Sequence, residues 1–514
     1  MYVFKKSNKV KIKFLIIFIL STSILCFNFS SSKVYSFPKK VINKKNTLQI
    51  NTSGRIQKKT KQKEKKVKSK TSKKKVHNVN LIKLKQKQNL SKISKRKNKA
   101  ISKEVFQILK CDTLSDGVIY KNIRIGKGKL IHSVHILEAD IDNENISVEP
   151  IKAGKTNFDL SKLHEIIKSQ EQNHQNNVLG AVNGSFWKAY NNFPIGITVI
   201  NGEVAELLNY KNWSNALFDD RGKLTIDRVS IIGKIKYKNS IISNITSVNR
   251  RRDSIGVVVY NKYGGDTIPF IQKERFEEIL KIALANELND RMYEDSTEEA
   301  FDTLKLKQDI LSNQRNSMIE YSLNKIVLKY LTPCIINSDI YCLVTRVDTG
   351  CVAIPDNGCL LSLGTDYRQH IPKIGDTIVL KYEIPKYPKT HFLHIITATP
   401  RIVRNGIANQ EAYEEGSRGR RFVNKSLPRT AIGTNRGRDK IFLITVEGTK
   451  KSQGTFGASL SQLAIISKKI GCYNAMNLDG GGSSAMVINN RNLLYDSNPA
   501  TSRRISVGIG VIEK

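Results

Sequence analysis

The residues best equipped for chemistry form one short run, Asn477-Leu478-Asp479-Gly480-Gly481-Gly482-Ser483-Ser484. Asp479 brings a carboxylate to the end of what reads as a buried strand over 473–478. The three glycines that follow allow backbone with φ > 0 and let a ligand approach without meeting Cβ atoms. Successive N–H groups in such a turn can cradle an anion. Ser483 and Ser484 add two hydroxyls. The competing interpretation is a tight hairpin without chemistry, because glycine is the default turn residue. No Gly-Lys-Ser/Thr follows, which excludes a phosphate-binding loop of the nucleotide-hydrolase type. Gly481 to Ala485 only approximates a nucleophile elbow, since a return strand over 484–488 is expected after it rather than a helix.

The elements that must hold this run can be read around it. Leu460, Leu463, Ala464, Ile465 and Ile466 give an apolar side to a helix over 460–470, with Ser459 as its cap and Gly471 as its stop. Two other stretches carry polar groups at strand ends. A buried strand from Leu179 runs into Asn183-Gly184-Ser185, where left-handed backbone is easy. Leu427-Pro428-Arg429-Thr430 presents a guanidinium fork suited to a phosphate or carboxylate, or to a structural ion pair. The strand over 441–446 ends in Glu447-Gly448-Thr449, a second carboxylate. His132 and His135 are three apart in a strand pattern, so they point to opposite faces and are poor partners for one metal.

In four segments, 179–202, 400–406, 427–448 and 457–488, the chain resembles the phosphodiester glycosidase family. The resemblance rests on Val182-Asn183-Gly184, Pro428-Arg429-Thr430 and Asn477-Leu478-Asp479-Gly-Gly-Gly-Ser-Ser484. That family includes a lysosomal enzyme that removes N-acetylglucosamine from a phosphodiester, and many bacterial envelope proteins. The resemblance implies an exported hydrolase of a sugar-1-phosphodiester, with Asp479 first and Glu447 second as catalytic carboxylates and Arg429 on the phosphate. Gly480, Gly481 and Gly482 would add backbone donors, and Asn183, Gly184, Ser185, Thr430, Ser483 and Ser484 would line the substrate. The family usually has Asp-Gly-Arg where Glu447-Gly448-Thr449 stands, and glycines where Thr397-Ala398-Thr399 precedes Pro400. The first departure favours the alternative, a non-catalytic envelope polysaccharide- or polyanion-binding protein. The sequence requires no cofactor; ligands for a calcium ion could exist, although no contiguous loop supplies them.

The formal net charge of +40 over 514 residues is local. Residues 1–103 hold 31 Lys and Arg and a single acid, Glu64. Lysines 5–13 before the apolar run 14–29 read as an export signal or an uncleaved anchor over 1–32, which implies secretion or an envelope location. Residues 33–103 carry few apolar side chains and are expected to be disordered. Their charge would suit an anionic envelope polymer; nucleic acid, physically able to bind such a run, fits an exported chain less well. The remaining residues, 104–514, read as one mixed α/β (α+β) domain of phosphodiester glycosidase type. It would contain a small β-unit between 326 and 380 and a helical insertion over 271–323, where Phe276, Ile279, Leu280 and Ala283 fall at helical spacing. None of the seven cysteines forms a CxxC pair, so a zinc site is not expected, and disulfides stay open.

Overall fold

The computed structural model describes residues 104–188, 192–269, 319–494 and 502–514. The signal or anchor over 1–32, the basic segment 33–103 and nearly all of the insertion 271–323 lie outside them; only the end of that insertion, residues 319–322, is seen to be helical.

Antiparallel sheets dominate, which corrects the expectation of a mixed α/β or α+β domain. An eight-stranded sheet takes the order Glu104–Ser115, Val118–Lys127, Leu130–Asp140, Lys440–Val446, Arg429–Thr434, Asn474–Asn477, Arg401–Arg404, Ile407–Ala408. Two five-stranded sheets accompany it. One has Asn177–Asn183 at its centre, between Met486–Ile488 and Val507–Glu513. The other is centred on Phe392–Ala398. The expected small β-unit is larger than its sequence suggested and begins earlier. It is a closed seven-stranded barrel running from Ile232–Tyr237 to Thr377–Glu383. Three α-helices are complete among the described residues: Leu163–His174, Arg420–Asn424 and Leu460–Ile470. The physical reason for the correction is that runs such as Val257–Tyr260 are buried on one face by the barrel's own interior and on the other against Ile268 and Val352 of a two-stranded sheet, not by crossover helices.

One apolar core joins the three sheets. Leu137, Ile432 and Leu443 of the eight-stranded sheet meet Val182, Met486 and Ile509 of the first five-stranded sheet and Phe218 of the second. The opposite face of the eight-stranded sheet is covered by Leu460, Leu463 and Ile466 of the last helix and by Val423. That helix forms as its sequence requires. Ser459 accepts from the N–H of Gln462, Gln462 reaches back to the N–H of Ser459 at 2.8 Å, and Gly471 ends it with φ 119°. A second helix spans Leu163–His174, with Leu163, Ile166 and Ile167 buried. The six cysteines of the described residues are free thiols.

The segment expected to be a hairpin, 473–488, is not one. Asn474–Asn477 pairs with Arg429–Thr434 in the large sheet, while Met486–Ile488 pairs with Asn177–Asn183 in another. The glycine loop therefore crosses from sheet to sheet.

Candidate functional site

Alternation along each strand sorts the polar residues onto faces. In Arg429–Thr434, Ala431 packs on the helix side and Ile432 on the inter-sheet side, so Arg429 and Thr430 face opposite ways. Thr430 stands opposite Thr445, which stands opposite His135. This row lies on the face that meets the other sheets.

Asn183 joins the separate segments. Its carboxamide oxygen accepts from the Thr430 hydroxyl at 2.7 Å and from the N–H of Ala485 at 3.0 Å. Its Nδ2 donates to the Asp479 carbonyl at 2.7 Å, and the N–H of Asp479 donates to Gly184 O at 3.1 Å. A carboxamide engaged at both ends in this way clamps the segments together. Gly184 is required where it stands, because a Cβ there would lie 2.8 Å from Val507 O.

The Asp479 carboxylate accepts from the N–H of Gly480 at 2.8 Å, which orients it. Gly481 donates to Pro428 O at 3.0 Å and takes φ 60°. These two N–H groups are thus engaged within the loop and its neighbour. Cβ atoms built on Gly481 or Gly482 would meet nothing within 4 Å, so the loop faces open space. Ser185, Ser483 and Ser484 are buried, and their hydroxyls have no hydrogen-bond partner among the described residues.

Arg429 is 1% exposed. Its Nε donates to Ala458 O at 2.9 Å, and its Nη2 donates to Phe422 O at 2.6 Å and Lys425 O at 3.1 Å. The Phe422 ring lies 5.6 Å from its Cζ. Among the described residues no carboxylate pairs with it, which removes the structural ion pair as its explanation. Burial pushes its pKa down to about 10. Its Nη1 would lie 3.9 Å from a Cβ on Gly480. An unneutralised guanidinium therefore backs the turn that follows Asp479.

Glu447 lies across Pro428 from that turn, since a Cβ on Gly448 would touch Pro428 Cγ at 3.2 Å. Its carboxylate accepts from the Ser133 hydroxyl and from His135 Nε2, each at 2.9 Å, and pairs with Lys450 at 2.9 Å. Burial alone would raise its pKa; hydrogen bonds from His135, Lys450 and Ser133 outweigh it and hold the group at about 2. A carboxylate only accepts, so Nε2 of His135 carries the proton, and in the neutral ring Nδ1 accepts from the Tyr120 hydroxyl at 2.8 Å. Burial first, then the charges of Asp112 and Glu447, raise Tyr120 to about 12. Thr449 caps the N–H of Gly457 at 3.2 Å, and Lys450 supplies a cation one residue beyond it. His132 points away, bonded to Phe456 O at 2.8 Å.

The structure thus gathers Asn183, Gly184, Thr430, Asp479 and the glycine loop directly, with Arg429 behind the loop and Glu447 beyond Pro428. Sequence reading missed Ser133, Tyr120 and Lys450, and weighed His135 only as a metal ligand. Only the register of Leu130–Asp140 on Lys440–Val446 brings Ser133 and His135 to Glu447. Among the described residues no three His, Cys, Asp or Glu side chains gather as a metal site.

Comparison with known proteins bears on this arrangement. Residues 346–512 match the family model described as phosphodiester glycosidase. The N-acetylglucosamine-1-phosphodiester alpha-N-acetylglucosaminidase of Bos taurus is 32% identical over 114 residues, 21% of each chain. That of Mus musculus is 30% identical over 119 residues, 21% of this chain and 22% of its own. The chain spans about a fifth of the length of these curated relatives. A crystal structure of a hypothetical protein from Synechocystis, 18% identical, shares the fold with a TM-score of 0.53 over 80% of this chain and 68% of its own.

Proposed function

The chain belongs to the phosphodiester glycosidase family through residues 346–512, and on that premise we propose that it hydrolyses the bond between a sugar's anomeric carbon and a phosphodiester oxygen. The observation that carries this reading is Arg429, a buried guanidinium without a carboxylate partner behind the turn that follows Asp479. Taking a charge out of water without an opposite charge is costly, and a phosphate at the turn would offset it.

In this reading Asp479 acts at the anomeric carbon, as nucleophile or as the base that activates water. The C–O bond to phosphate breaks and its electron pair leaves on the phosphate oxygen. Water supplies the new hydroxyl of the sugar, and its proton passes to the carboxylate or to solvent. Phosphate is a good leaving group, so no strong acid is needed. That matches Glu447, whose carboxyl stays ionised down to about pH 2 and would serve as base or fixed charge, not as proton donor. Ser185, Ser483 and Ser484 would meet substrate hydroxyls. The sugar is proposed to be N-acetylglucosamine-like, as in the substrate named for the mammalian relatives. Lysines 5–13 and the apolar run after them support export, to the envelope or beyond it, with glycans there as the substrate.

The test is release of sugar from an α-N-acetylglucosaminyl phosphodiester by the full chain and by Asp479→Asn. Release by the first and at least about a thousandfold less by a folded second is expected. No release from any of several sugar phosphodiesters would leave a polysaccharide-binding protein as the reading.

A further inference from the structure

A strip of aromatic rings leads away from Arg429. Phe422, which touches the guanidinium, lies 6.1 Å from Phe186, and Phe186 lies 5.4 Å from Trp213. Trp213 in turn meets Tyr210 edge to face at 4.8 Å. All four rings are half-buried. Phe186 sits one residue beyond Ser185, so the strip starts at the candidate site itself.

At its far end is a cavity of about 230 Å³ whose walls include Tyr210, Trp213, Asn209, Asn212, Asn215 and Arg228. Its lining contains no Asp or Glu. Arg228 is already bound to Glu411 at 2.7 Å, so the cavity offers no unpaired arginine to an anion. The other cation of the lining, Lys211, holds its Nζ 5.3 Å from the Tyr210 ring centroid, and the rest is amide, hydroxyl, aromatic and aliphatic. Asn209 and Asn215 have both carboxamide ends engaged within the protein and shape the wall, which leaves Asn212 and the rings to meet a sugar's hydroxyls. Half-exposed Tyr and Trp rings give a flat surface for the C–H face of a pyranose. Trp213 Nε1 is buried and has no acceptor among the described residues, although a buried indole N–H ordinarily finds one. The asparagines are held in place: Asn209 exchanges two hydrogen bonds with the backbone of Ile231, and Asn212 donates to Glu414 O at 3.1 Å. The volume lies below the ~300–1,000 Å³ of most small-molecule sites, which suits one sugar ring rather than a chain.

We propose that this cavity is a subsite for an uncharged pyranose ring of a longer glycan, reached from the phosphodiester site along the Phe422–Phe186–Trp213 strip. The proposal rests on the hydrolase reading in treating the cavity as an extension of that site. It adds that the natural substrate is an oligosaccharide or polymer and not a single sugar phosphate.

The chain has two tryptophans, so Trp187→Phe makes Trp213 the sole tryptophan reporter. Titrating that full-length variant with N-acetylchitotetraose, cellotetraose and mannotetraose should give a saturable change in tryptophan emission with at least one of them. Tyr210→Ala should weaken that binding about tenfold, and Tyr210→Phe, which keeps the ring, should retain it. With hydrolysis as the readout, the ratio of kcat/KM for tetrasaccharyl over monosaccharyl phosphodiester should fall about tenfold in Tyr210→Ala. No emission change with any of the three sugars, in a protein that still cleaves a monosaccharyl phosphodiester, overturns the subsite and leaves the hydrolase standing. Saturable binding lost in Tyr210→Ala, without hydrolysis of any phosphodiester, leaves the cavity as a glycan site and removes the hydrolase reading.

Discussion

Arg251 in the barrel and Arg429 at the glycine loop are buried almost equally, at 3% and 1% exposure, yet their charges are met in opposite ways. Arg251 pairs with Glu320 and donates to Ser362 O at 3.0 Å and Ile255 O at 3.0 Å. Glu320 is itself bound by the Tyr260 hydroxyl at 2.8 Å and by Ser362. Charge, donors and acceptors all find partners within this one cluster on the barrel wall. Arg429 has three carbonyls and a ring, which take up its Nε and Nη2 donors but leave its charge unanswered. Breaking a neutralised buried pair strands a charge in the core; a buried charge that never had a partner is a cost that a bound anion can recover.

The largest effect is therefore expected at the barrel. Arg251→Met leaves Glu320 buried without its counter-charge and should lower the unfolding free energy by about 3–5 kcal/mol in urea titration. A cost below about 1 kcal/mol would break the contrast, since surface-like pairs behave that way. Arg429→Met should cost less, about 1–3 kcal/mol, because it strips donors from three carbonyls but removes no counter-charge. The same variant should lose a response that the wild type shows. Inorganic phosphate at a hundred times its Kd should stabilise the wild type by about 2.7 kcal/mol and leave Arg429→Met unmoved. Equal responses would place the anion elsewhere.

Glu447 sharpens the comparison from the acid side. Its folded pKa of about 2 lies below the ordinary 4.5. A depressed pKa means stability that is present above about pH 4.5 and is lost as pH falls toward 2. Glu447→Gln should cost about 2 kcal/mol at pH 7, after allowance for solvent screening, and flatten the fall in Tm across that acid window. An unchanged acid limb would mean that His135 and Lys450 do not hold this carboxylate.

What could be read from sequence was whatever local signals fix. The helix Leu460–Ile470 carried its cap, its apolar side and its glycine stop within thirteen residues, 459–471, and formed as expected. Asn183, Arg429, Thr430, Asp479 and the glycines announced themselves by residue type in a resembling order. Their mutual geometry did not, because it depends on strand register. Thr430 meets Thr445, and Thr445 meets His135, only once strands distant in the chain have paired. His135 and Glu447 are 312 residues apart, so nothing near either one names the other. The hairpin expected over 473–488 failed for the same reason. A glycine turn fixes a reversal or a crossing equally well, and the next strand's partner decides which. The fold class was misjudged because a buried apolar run such as Val257–Tyr260 looks alike whether helices or sheets cover it.

Asn183 also sets a timetable. Its partners lie 247 residues away at Thr430 and 302 residues away at Ala485. The barrel draws all its strands from between Ile232 and Glu383 and can close on a chain that is still being made. The clamp cannot, because it must wait for the loop crossing after Asp479 and for long-range contacts that form slowly. A chain cut short anywhere before Ala485 can thus keep a folded barrel and have no assembled site, so whatever activity the protein has must wait until the loop and strand through Ala485 have been made.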